Sequence, residues 1–90
     1  MIKKEMISRI SEEVNLSQKD VKKVVQGVFD NIKNSLIKGE RVELRNFGVF
    51  KLRTRRERKR RNPRTGEGVL VPAHRVVVFK PARTLRKRVK

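Results

Sequence analysis

Apolar positions in the first forty residues recur with helical spacing. Ile2, Met6, Ile7, Ile10 and Val14 fall three and four apart, which predicts one face of a helix over residues 2–14. Asn15-Leu16 interrupts the pattern. Ser17, three residues before Asp20, predicts an N-cap with an acid in the first turn of a second helix. Val21, Val24, Val25, Val28, Phe29, Ile32, Leu36 and Ile37 carry the period on to Lys38-Gly39, a basic end followed by a residue suited to a left-handed C-cap. The stripe is rich in β-branched residues, so packing rather than propensity must hold this helical hairpin.

The period then changes from 3.6 to 2. Arg41-Val42-Glu43-Leu44-Arg45 alternates as a half-buried strand does. Asn46-Phe47-Gly48 predicts a tight turn or bulge, because Asn and Gly both tolerate positive φ. Val49-Phe50-Lys51-Leu52 resumes as strand. Val69-Leu70-Val71-Pro72 and then Arg75 to Phe79 form the returning strand; Pro81 ends it and suits the first turn of a final short helix carrying Leu85 and Val89. The predicted class is α+β: a helical hairpin, a three-stranded antiparallel sheet with a long β-ribbon arm, and a short C-terminal helix. It reads as one domain over residues 1–90, with the hairpin at 1–39, sheet body at 40–52 and 74–80, arm at 53–73 and last helix at 81–90.

The arm changes what this fold can be for. From Arg53 to Arg64 it holds eight Arg or Lys against one acid, Glu57, and then turns at Asn62-Pro63 and Gly66. No core can absorb such charge, so the segment projects into solvent or meets a polyanion. The whole chain repeats the message, with 26 basic and nine acidic residues and a net charge of +17. Duplex nucleic acid fits that balance. A membrane surface fits poorly, because the arm lacks the large apolar residues that an interfacial helix buries. The core supply is thin, with no Trp or Tyr and only Phe29, Phe47, Phe50 and Phe79, so a dimer is expected to complete it.

Other chemistries find little purchase. There is no Cys, and His74 is the only His, so no zinc site is expected. The acids are scattered among cations, without a nucleophile, base and orienting group or a phosphate-binding glycine loop, so an enzyme is not expected. No cofactor and no small-molecule substrate is implied. The N-terminus has no apolar run behind its charges and no segment reaches membrane-span length, so an intracellular protein is expected. The four Phe sit in apolar patterns and are expected in ordinary core rather than as stacking platforms for bases.

Asn46-Phe-Gly-Val-Phe50, Arg61-Asn-Pro-Arg-Thr-Gly-Glu67 and Val78-Phe-Lys-Pro81, at these separations, resemble the bacterial HU/IHF histone-like DNA-binding proteins over the entire chain. The resemblance implies an intertwined dimer, as homodimer or with a related subunit, whose two arms reach around DNA in the minor groove within the bacterial nucleoid of the cytoplasm. Pro63 matches the tip proline that wedges between base pairs. Arg61, Asn62, Arg64, Thr65 and Gly66 match the tip around it, and Arg53, Arg55, Arg56, Arg58, Lys59 and Arg60 the arm. Lys3, Lys80, Arg83 and Lys87 match the basic body surface, and Phe47, Phe50 and Phe79 the aromatic cluster of the dimer core. The family commonly has Gly at the positions of Asn46, Arg60 and Ala82.

The function this implies is architectural: binding, bending and compacting duplex DNA with little sequence preference, favouring kinked, nicked or flexible sites. Two alternatives share the composition. One is an IHF-like, site-preferring subunit. The other is a structural RNA-binding protein of the ribosomal kind, which would be a monomer.

Overall fold

The computed structural model describes residues 1–89. Its elements run α1 (Lys3–Val14), α2 (Gln18–Ile37), β1 (Val42–Leu44), β2 (Gly48–Arg55), β3 (Arg58–Arg61), β4 (Gly68–Val71), β5 (His74–Pro81) and α3 (Arg83–Arg88). The contacts divide the chain into two compact units, Met1–Asn34 and Ser35–Lys90. Among the described residues no helix is long and apolar enough to cross a membrane.

The first unit is the helical hairpin that the spacing predicts. Asn15 stops α1 by turning left-handed at φ 54°, a conformation Asn tolerates better than most residues. Ser17 starts α2 by accepting the Asp20 N–H on its hydroxyl at 3.1 Å. Ile7, Val21 and Val25 are buried, with Met6 and Ile10 packed against them. Three buried side chains make a small core, and much of the apolar stripe stays uncovered: Val24 is 65% exposed. The uncovered residues, among them Val14, Leu16, Val24, Val28 and Phe29, line a wholly apolar groove of about 440 Å³.

The second unit begins within the last turn of α2. Gly39 turns left-handed at φ 87°. Its N–H reaches the Leu36 carbonyl at 3.0 Å while the Glu40 N–H reaches that of Ser35 at 2.9 Å, the paired bonds of a Schellman cap. Strands β1, β2 and β5 then form an antiparallel sheet in the order β1-β2-β5. Opposed residues share a face and successive residues alternate. The register Val42↔Phe50 and Phe50↔Phe79 therefore puts these three, with Leu52 and Val77, on one face. The other face carries Lys51, Arg53, Arg55, His74 and Lys80.

Asn46 adopts φ 64° in the β1–β2 turn, so it fills a left-handed position as a Gly would. The turn also anchors the last helix: the Ala82 N–H donates to the Phe47 carbonyl at 2.8 Å, and the Thr84 hydroxyl to that of Asn46 at 3.3 Å. Pro81 pairs with Gly48 as the last residue of β5, and α3 starts only at Arg83. A proline donates nothing to a ladder, so it closes the strand, and the next N–H, from Ala82, makes the bond.

Beyond the body, β3 and β4 form a separate two-stranded ribbon. The body ladder runs out as far as Arg55↔His74, and the outer ladder starts at Arg58↔Val71. Between them Arg56 and Glu57 face Pro72 and Ala73 unpaired. The register is nonetheless unbroken: counting on from Arg55↔His74 brings Arg58 opposite Val71. The cause of the gap is local. Pro72 has no N–H to offer Glu57, and its carbonyl lies 3.1 Å from His74 Nδ1.

Candidate nucleic-acid interface

The arm owes its fold to β4 and its charge to β3. Val69, Leu70 and Val71 supply strand propensity, and pairing with them holds Arg58, Lys59, Arg60 and Arg61 extended and exposed. Alternation divides the cations between two faces: Arg58 and Arg60 beside Val71 and Val69, Lys59 and Arg61 beside Leu70 and Gly68. Cations on one face are thus about 7 Å apart. Each face also shows apolar surface, Leu70 being 58% exposed. Such a ribbon can lie along a groove, with its charges toward phosphates and its aliphatic groups toward sugars.

At the tip, Asn62 and Glu67 close the loop. The Asn62 N–H donates to the Glu67 carbonyl at 2.7 Å, and the Gly66 N–H to the Asn62 carbonyl at 2.8 Å. Asn62 Oδ1 accepts the Arg64 N–H at 2.9 Å, and the Thr65 hydroxyl accepts the Glu67 N–H at 3.3 Å. Gly66 sits at φ 73°, where a side chain would be strained. Pro63 and Arg64 are exposed on this loop.

On the body, Arg53 and Arg55 share a sheet face with Lys80. A basic concavity of about 890 Å³ lies toward the Lys80 end of that face, lined in part by Lys51, Lys80, Arg83 and Arg86, and Arg53 and Arg55 stand outside it. Lys51 and Arg86 were not singled out by the sequence. Lys51 was detectable, because it stands in step with Arg53 and Arg55 at strand period. Arg86 joins only through the anchoring of α3, which no local signal announces. Lys87 is exposed on α3, but does not line the concavity. Arg56 lies in the gap between the two ladders. Lys3 belongs to the first unit, where its Nζ donates to Gln26 Oε1.

Almost none of this charge is neutralised from within. Among the described residues the one ion pair is Arg41–Glu43, at 3.1 Å. An exposed pair of that kind contributes little, so the remaining cations are available to an external polyanion. Among the described residues no group of three or more His, Asp or Glu could hold a metal ion.

Three of the four Phe pack together in the second unit. Phe79 packs on Phe50 at 4.8 Å between ring centroids and on Phe47 at 5.3 Å. Yet Phe47 is 48% and Phe79 40% exposed. The three form a cluster that a single chain leaves open.

Comparison with known proteins places this geometry. A family model described as "Bacterial DNA-binding protein" matches residues 1–90. The DNA-binding protein HU of Geobacillus stearothermophilus is 47% identical over 90 residues, all of both chains. That of Staphylococcus aureus (strain COL) is 42% identical over the same span. Among solved structures, an Anabaena HU–DNA cocrystal matches with TM-score 0.92 at 31% identity, over 99% of this chain and 97% of that one. HU from Thermotoga maritima matches with TM-score 0.70 at 29% identity, over the full length of both.

Proposed function

The chain belongs to the bacterial DNA-binding protein family of the HU proteins, and from that premise we propose how it acts: as a histone-like architectural protein that binds, bends and compacts duplex DNA. The observation that carries the reading is the ribbon of unpaired cations ending in a hydrogen-bonded loop with Pro63 exposed on it. In the minor groove the base code is degenerate. Arginines there hold the protein in place without reading sequence, and preference follows how easily the duplex deforms.

In this account Arg53, Arg55 and Lys80, joined by Lys51, Arg83 and Arg86, seat the duplex on the body. Arg58 to Arg61 follow the groove, and Pro63 enters a base step. Unstacking a step costs a few kcal/mol, which the wider contact with a bent duplex offsets. The protein works as a homodimer: a second copy covers the apolar groove of the helical hairpin and the open cluster of Phe47, Phe50 and Phe79. It is a binding protein and not an enzyme, and it acts on the nucleoid in the cytoplasm.

A salt titration tests the backbone-driven part. Affinity for duplex DNA is expected to fall on the order of a thousandfold between about 50 and 200 mM salt, with a log–log slope near −0.9 per phosphate neutralised. A slope near zero in a gel-shift series overturns it.

A further inference from the structure

The exposed proline at the arm tip has no N–H with which to fix itself. Its neighbour does the fixing. Asn62 engages its backbone N–H with Glu67, its carbonyl with Gly66 and its side-chain Oδ1 with the Arg64 N–H. The last of these bonds joins the residue before the proline to the residue after it, closing an Asx turn around Pro63 at 2.9 Å. A proline suits the middle of such a turn, because its φ is already set and the turn asks nothing of its missing N–H. Asn62 also stands apart in exposure. From Arg53 to Leu70 every residue is exposed except Asn62, which is half-buried.

We propose that Asn62 is a positioning residue for the wedge. Its side-chain oxygen, held on the Arg64 N–H, fixes the Pro63 ring in its presenting orientation before DNA arrives. The proposal rests on the reading of Pro63 as the group that enters the base step. The physical advantage is preorganisation: a loop fixed in advance has less freedom to lose when the ring inserts.

The test uses a nicked duplex with end-placed dyes that report the bend and a 2-aminopurine at the kinked step that reports unstacking, both read at saturating protein. Pro63→Ala is expected to lower both signals; if it lowers neither, the wedge reading itself falls. Asn62→Ala is expected to lower the ratio of unstacked to stacked duplex about fivefold, the effect of one hydrogen bond of ordinary strength. Asn62→Asp, which keeps the acceptor oxygen, restores most of it. In a Pro63→Ala background, Asn62→Ala produces no further loss. If Asn62→Ala has no effect, or an equal one in both backgrounds, or one that Asn62→Asp fails to restore, the positioning role is overturned while the wedge stands.

Discussion

At Gly48 a single methyl group has no room. A Cβ there would lie 2.5 Å from Cε1 and Cζ of Phe79 and 2.6 Å from the Lys80 carbonyl oxygen. The ring that covers Gly48 is the one that also packs on Phe47 and Phe50, so a clash is transmitted to the whole aromatic cluster. Gly48→Ala is expected to cost about 1–3 kcal/mol, as overpacked sites do, measured as a lower urea midpoint. An unchanged midpoint would mean that the Phe79 ring and the Lys80 backbone both give way freely. Elsewhere the backbone explains why other residues serve where the family commonly has Gly. Asn46 accepts a left-handed φ of 64°. Ala82 sits at φ −66° and Arg60 lies in a paired strand, where no glycine is needed. The signals for Gly39, Asn46 and Ser17 were legible in the sequence because capping and turning depend on one residue and its immediate neighbours. The exposure of Phe47 and Phe79 was not, because it depends on what else comes to lie over them.

At the level of elements, period alone located both long helices and the body strands. It did not locate the division of the arm. The gap at Arg56-Glu57 and Pro72-Ala73 exists only once the two strands are paired, and pairing is a relation between distant stretches of chain. The same holds for Pro81: its fixed φ fits a helix start as well as a strand end, and the partner Gly48 decides between them. Within the outer ribbon, Arg60 adds a cation on the face of Arg58. Arg60→Gln is expected to weaken binding to all duplex sequences about equally and to reduce the salt slope by about 0.9. An unchanged slope in the same gel-shift series would place Arg60 away from the phosphates.

For the whole molecule, the exposed apolar groove of the helical hairpin sets the terms of stability. A chain that leaves Val24, Val28 and Phe29 open is stable only as far as a second copy covers them, so its melting temperature should rise with protein concentration. Val28→Glu places a charge in that groove, and burying an unpaired charge costs several kcal/mol. Light scattering at micromolar concentration is expected to show the variant as a monomer with a lowered melting point; a dimer of unchanged stability would move the interface elsewhere. The charge that dominates the composition is carried by a limb whose two ladders keep a common count across their gap. A slip of one residue would exchange its faces, turning Arg58 and Arg60 to the side of Lys59 and Arg61. Because the inner ladder already dictates the frame, an outer ladder that opened at the gap would close again in the same alignment, so the bond deleted at Pro72 costs the limb none of its memory.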